Sequence, residues 1–312
     1  MLNQLSLDLP SKNIPNVHVF IALELSGAIG VSFILLTALF SRLVKRCSTW
    51  YTFCASWVLS CLSYCLIFFS GDTLNPKPNK NLCIAQAALV YSVPILTALT
   101  TLILLVHSWY NVHFGLSKPP LESHERAMLI LLSGPFLVWL FMFAGFSSFG
   151  LSNPSMAHNF GMYCAFTTVM PVKISSLIVI IITFSTIPIQ ASLALSLARN
   201  FDRSDARSTI SVQTLKTVIR VLIFSFLILV GFAEGLIRLL SRHHTPAVDI
   251  ILAALPVSGV LIFGIQKDLF QAWKAWLCLK TKASSSIGTS SRRESKLESY
   301  ELSDFSGSTG HY

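Results

Sequence analysis

Charge is what this sequence is short of. Only 12% of its 312 residues are Asp, Glu, Lys or Arg, about half the roughly 25% of a soluble globular protein. So few charges cannot cover a water-facing surface. In their place 53% of the chain is hydrophobic, in long runs that carry the mean hydropathy to +0.65. A soluble enzyme, a disordered chain and a nucleic-acid-binding domain are excluded on that ground. The net charge of +9 is therefore no nucleic-acid footprint. Other signals are missing as well. The one Asn-x-Ser/Thr triplet has Pro154 in its middle, so N-glycosylation is not expected. No domain-scale repeat recurs. The first 11 residues carry no basic segment and the first apolar stretch is too long for a leader core, so no cleavable leader is expected. His243 and His244 stand apart from His107, His113 and His124. That leaves no zinc cluster and no nucleophile–base pair, and neither an enzyme, a metal nor a cofactor is expected.

What is present is a set of seven charge-free intervals: 25–41, 47–71, 81–117, 127–172, 174–198, 221–233 and 250–266. A helix needs about 20 mostly apolar residues to cross lipid. The interval 127–172 is long enough for two, but Gly150, Asn153, Pro154, His158, Asn159, Gly161 and Pro171 make its second half a loop. The interval 221–233 is too short alone, so its helix must carry Glu234 into the membrane. Strands of a barrel would be shorter and alternating. Spans are predicted at 17–43, 50–69, 82–110, 127–149, 172–197, 217–240 and 247–265. The expected fold class is an all-α membrane protein, a seven-transmembrane helix bundle. An outer segment 1–16 precedes the bundle at 17–266; a short amphipathic helix at 267–279 and a disordered Ser-rich tail at 280–312 follow it.

Seven spans put the termini on opposite sides. With the N-terminus outside, 17 of the 23 Lys and Arg residues fall on the inner side and 6 on the outer, as the positive-inside rule requires. Cys47, Cys54, Cys61 and Cys65 then lie at or within span 2, and Cys278 lies inside. Only Cys83 and Cys164 reach the oxidising outer face, where a disulfide persists. They make one obvious pair; the alternative is two free, packed thiols.

Seven spans, an outer N-terminus, a cysteine opening helix 3 and a second in the following outer loop resemble the G-protein-coupled receptor superfamily over about 17–280. The segments LCIAQAALVYSVPILTALTTLILL at 82–105 and FGIQKDLFQAW at 263–273 are most similar to seven-helix receptors of basidiomycete fungi. The chain departs from the rhodopsin-like pattern at three places. His107-Ser108-Trp109-Tyr110 stands where Asp-Arg-Tyr would, helix 6 has no Trp-x-Pro, and Pro256 follows Leu255 without the Asn-Pro-x-x-Tyr sequence. Retinal chemistry would need a lysine inside helix 7, and Lys267 is at its inner end. The resemblance implies a plasma-membrane receptor for an unidentified extracellular ligand, signalling to a heterotrimeric G protein. The alternative is a seven-helix small-solute transporter or channel, which would want more polar residues at the midplane.

Intramembrane acids are costly and usually functional. Glu24 and Glu234 both fall in the outer third of the predicted core and are candidates for a pocket taking a polar or cationic ligand. Glu234 has Arg238 at i+4, so a local ion pair is its alternative; Glu24 has no such neighbour. Gln86 and Tyr91 on span 3 are further ligand candidates, with core packing as the alternative. Asp249 follows Thr245 and Pro246 and is read as a helix-start charge. Pro94, Pro135, Pro188 and Pro256 sit inside spans, as hinges or as packing. Gly27, Gly30, Gly231 and Gly235 permit close helix approach. On the inner side Arg199, Arg203 and Arg207 form one basic stripe, facing a G protein or lipid headgroups. Leu269, Phe270, Trp273, Trp276 and Leu277 give 267–279 an apolar face for the membrane lipids. Cys278 is a candidate palmitoylation site, and Ser295, after Arg292-Arg293-Glu294, a candidate phosphorylation site.

Overall fold

The structure, a computed structural model, describes residues 14–41, 44, 46–73, 75, 78–114, 125–202, 218–229 and 246–274. These are mostly helical. In chain order α1 is Ile14–Phe40, α2 Ser48–Tyr64, α3 Leu66–Phe69, α4 Lys80–Phe114, α5 Glu125–Ser152 and α6 Val169–Asp202. Next come α7, Val218–Leu229, α8, Pro246–Gly264, and α9, Lys267–Lys274. Among the described residues four helices, α1, α4, α5 and α6, are long and apolar enough to cross a membrane; α8 and α9 taken as one broken span make five. Several such helices in one chain are the mark of an integral membrane protein.

Each of these long helices contains most of one charge-free interval, and α1 runs past its own to take in Glu24. Of two further expected spans, one is interrupted and one is described only in part. Over the second, α2 ends after 17 residues; the chain turns at Cys65 (φ −87°, ψ 3°) and resumes as α3. Over the sixth, only Val218–Leu229 is described. The four prolines lie within helices, Pro94 in α4, Pro135 in α5, Pro188 in α6 and Pro256 in α8.

Two compact units are distinguished, Met1–Leu36 with Lys45–Ile265 and Thr37–Val44 with Gln266–Tyr312. In the first, side-chain bonds fix the register of α4 against its neighbours. Thr49 Oγ1 lies 2.8 Å from His107 Nδ1, Ser56 Oγ 2.8 Å from Thr100 Oγ1, and Gln86 Nε2 donates to Tyr64 O at 2.9 Å. α2 and α4 are thus antiparallel. Ser175 Oγ donates to Tyr91 O at 2.7 Å and Trp109 Nε1 to Ser192 Oγ at 3.0 Å, so α4 and α6 run parallel. α1 and α8 also run parallel: a Cβ on Gly27 would stand 2.5 Å from Pro256 Cβ, and one on Gly30 2.5 Å from Val260 Cγ2. Only glycine admits that approach. In the second unit Trp273 Nε1 donates to Thr37 Oγ1 at 3.0 Å. Leu269 and Ala272 of α9 are buried while Phe270 is exposed, so Phe270 leaves the face it was expected to share with Leu269 and Trp273.

The all-α expectation needs one amendment. Beyond α5 the chain passes through a 3-10 turn at Pro154–Met156 and forms a hairpin, β1 Ala157–Asn159 against β2 Cys164–Phe166, with Asn159 opposite Cys164. Gly161 takes φ +95° in its turn, and its N–H donates to Asn159 Oδ1 at 2.8 Å. Strands of three residues leave almost no period in a sequence, so this segment reads only as a loop.

Candidate functional site

The hairpin closes one end of the first unit. Cys83 at the head of α4 and Cys164 at the head of β2 are joined by a disulfide, with S–S 2.07 Å and Cα–Cα 5.2 Å. Gln86, one turn along α4, is fully buried. Its Nε2 donates to Ser63 O at 3.3 Å and to Tyr64 O, and its Oε1 accepts the Cys164 N–H at 3.0 Å. That one carboxamide ties α2, α4 and the hairpin together. Tyr91 stacks on Phe166 at 5.7 Å and donates to Phe166 O at 3.4 Å. Gln86 and Tyr91, candidates for a ligand, are thus engaged in holding the hairpin. Asn159 anchors it from the other side, with Nδ2 donating to Thr73 O at 3.0 Å and Asn75 O at 3.1 Å.

The tip of the hairpin reaches the helices beside it. Met162 packs in one apolar cluster with Val17, Phe20, Ile21 and Ala253. Tyr163 meets Tyr64 at 5.5 Å and Phe20 at 5.8 Å between ring centroids, and its hydroxyl donates to Asp249 Oδ1 at 3.1 Å. Asp249 does lie in the first turn of α8, and here it also accepts a bond from the hairpin.

Glu24 lies one turn along α1 from Phe20 and is 3% exposed. Its carboxyl meets the Cys61 thiol, yet Oε2 has no hydrogen-bond partner. Gly27, one turn on, sits between Cys61 Sγ and Pro256. The acid is therefore held where α1, α2 and α8 converge. A buried polar atom without a partner costs about 1–3 kcal/mol; Trp50, Trp57 and Trp139 Nε1, Ser147 Oγ and Thr168 Oγ1 share that condition, and Glu24 is the one acid among them. Cys61 and Cys65 are the residues that the sequence did not tie to Glu24. Cys61 lies within α2 and Cys65 at the turn that ends it, and a thiol in an apolar run carries no signal of such a partner. Two turns further along α1 a small apolar cavity of about 10 Å³ is lined by Val31, Phe53, Trp57, Phe224, Pro256 and Phe263 among others. Its aromatic walls meet edge to face, Phe53 with Phe224 at 5.4 Å and Phe224 with Phe263 at 5.6 Å.

At the opposite end of the same unit, α4 and α6 are linked through Trp109–Ser192 and through His113 Nε2, 3.0 Å from Ser196 Oγ. Arg199 is exposed on α6, one turn further along. Arg220 Nη2 donates to Ile265 O at 2.9 Å, joining α7 to the end of α8. Glu234, Arg203, Arg207, Cys278, Ser295, Gly231 and Gly235 lie outside the described residues. Among the described residues, no three His, Cys, Asp or Glu side chains gather where they could hold a metal.

No protein-family model matches this chain, and no curated protein does.

Proposed function

We propose that this chain is a seven-helix receptor of the plasma membrane, with its N-terminus outside, that senses an extracellular ligand and signals to a heterotrimeric G protein. The observation that carries it is the disulfide-tied hairpin lodged over one end of helices that alternate in direction. A wedge of that kind links whatever touches the outer loop to α1, α2, α4 and α8 together, through Tyr163, Gln86 and Asp249. Glu24 lies directly beneath it and supplies the acid for a polar or cationic ligand. The arginine stripe Arg199, Arg203 and Arg207 supplies the docking charge at the opposite end, with the amphipathic helix 267–279 on the inner leaflet.

The test uses the purified full chain in lipid nanodiscs with a G-protein heterotrimer and a ligand panel. Ligand-dependent nucleotide exchange is expected, reduced when the three arginines are changed to Gln with ligand affinity retained. An N-terminal epitope should be reached on intact cells and a C-terminal one only after permeabilisation; the reverse would overturn the orientation. One observation favours a solute transporter instead, the buried carboxylate oxygen of Glu24 without a partner, since such acids often mark ion or proton pathways. Solute flux in proteoliposomes, alongside exchange that never responds to any ligand, would select that alternative.

A further inference from the structure

Between α4, α6 and α7 lies a second cavity of about 10 Å³, and its lining is mixed where the first is apolar: Thr101, Thr183, Thr186, Gln190 and Ser225 share its wall with Ala98, Ile228 and Leu229. An interhelical space in lipid lined by five polar side chains needs a reason, because each unmet polar group there is costly. Most of the hydroxyl protons are already spent. Thr101 Oγ1 donates to Thr97 O at 2.6 Å, Thr186 Oγ1 to Thr183 O at 2.7 Å and Ser225 Oγ to Val221 O at 2.7 Å. Each bond runs back along its own helix, so what these three oxygens keep is acceptor capacity. Gln190 donates to Thr186 Oγ1 at a long 3.5 Å and keeps its carbonyl oxygen for a donor. Thr183 is the exception. It is 6% exposed, and the bond it enters, from Thr186 Oγ1, is to its backbone oxygen, which leaves the hydroxyl to the cavity.

We propose that this cavity is a binding site for one ordered water molecule, which joins α4, α6 and α7. The size fits, since about 10–15 Å³ of this measure is what one water occupies. The chemistry fits as well. A water can accept the Thr183 hydroxyl proton and donate its own two to the acceptors on Thr101, Ser225 or Gln190, reaching the usual three bonds of a buried water. An alkali cation fits less well, because the polar lining holds no carboxylate and a cation has no use for a hydroxyl donor. The apolar cavity at Phe53 and Phe224 has the same size and stays dry, lacking polar partners. No step here depends on the receptor proposal, and the test leaves signalling out.

The experiment turns on a sign. Thr183→Val keeps shape and loses the hydroxyl. In a dry cavity that change removes an unmet polar group and holds or raises stability. In a hydrated one it strips the water of a partner and lowers it. For the purified full chain in nanodiscs, the apparent melting temperature is expected to fall by about 2–4 °C. An unchanged or higher value overturns the proposal. Radiolytic footprinting of the unaltered chain is independent of that variant's folding. Hydroxyl radicals formed from the held water should label the peptides carrying Thr101 and Ile228, with slow incorporation from ¹⁸O-water, and several-fold less in Thr183→Val. Absence of label in the unaltered chain overturns the proposal, as does label that appears only when sodium is removed, which would make the occupant an ion.

Discussion

α1 and α5 are nearly equal in composition and opposite in surroundings. Each offers 25 residues to a membrane, at mean hydropathies of 2.2 and 2.1, yet 39% of the most apolar stretch is buried in α1 and 11% in α5. Their glycines register the difference. Gly27 and Gly30 of α1 face Pro256 and Val260 at distances no Cβ would tolerate; on α5 Gly150, beside the hairpin, is as crowded, by Ile84 and Phe166, whereas a Cβ on Gly134 or Gly145 would meet nothing within 4 Å. Lipid tails are as apolar as leucine, so hydrophobicity gives a helix no preference between lipid and a neighbour. Close approach supplies the preference, through dispersion contacts and backbone proximity. Hydropathy thus shows where the chain leaves water. Glycine shows where helices meet only if a partner presents a surface to it.

The strongest way to break this comparison is to fill the α1–α8 contact. Gly30→Leu places a side chain where Val260 already stands, with its Cβ at 3.3 Å and its two methyls closer. Overpacking of that kind costs about 3 kcal/mol, read as a lower midpoint in thermal or detergent-driven unfolding. The matched Gly134→Leu on α5 should leave the midpoint almost unmoved. Equal losses from the two would mean that α1 and α5 differ less in packing than the structure has them.

A second change sharpens the comparison by working in the opposite direction at the same contact. Glu24→Leu keeps approximate volume and removes a carboxylate oxygen that nothing satisfies. Stability should rise by about 1–3 kcal/mol, while any ligand response of the proposed receptor falls. That pairing is how a polar group kept for function behaves when it is taken out. A fall in stability instead would show the carboxyl to be a structural tie between α1 and α2.

The same contrast marks how far the sequence could be read. Helix positions were legible because lipid enforces them: α4 at Lys80–Phe114 and α6 at Val169–Asp202 begin and end where charge or a loop permits. The Cys83–Cys164 bond was legible through compartment alone. The burial of Glu24 was half legible, as an acid with no partner on its own helix; Cys61 was not, since a thiol in an apolar run is indistinguishable from packing. Gln86 and Tyr91 drew attention as polar groups within an apolar helix, and what they serve is the hairpin, a three-residue ladder with no period to find. Which of two equally apolar helices is embraced by its neighbours is a property of pairs, and no single segment carries it.

The smallest expected effect is the most discriminating, because it changes sign between the two helices. Gly145→Ala on α5 adds a methyl in open space and removes the conformational freedom that makes glycine a poor helix former, a difference of up to about 1 kcal/mol in favour of the variant. Gly27→Ala on α1 gains the same helix preference. There the added methyl must displace Pro256, whose Cβ would be 2.5 Å away, and the ring of a helix-embedded proline has little freedom to yield. The first variant should unfold slightly later than the parent and the second clearly earlier, in the same nanodiscs and the same scan. If both rise together, α1 does not touch α8 in the bilayer. If both fall together, a neighbour covers Gly145 in the bilayer, and α5 is a packed helix like α1.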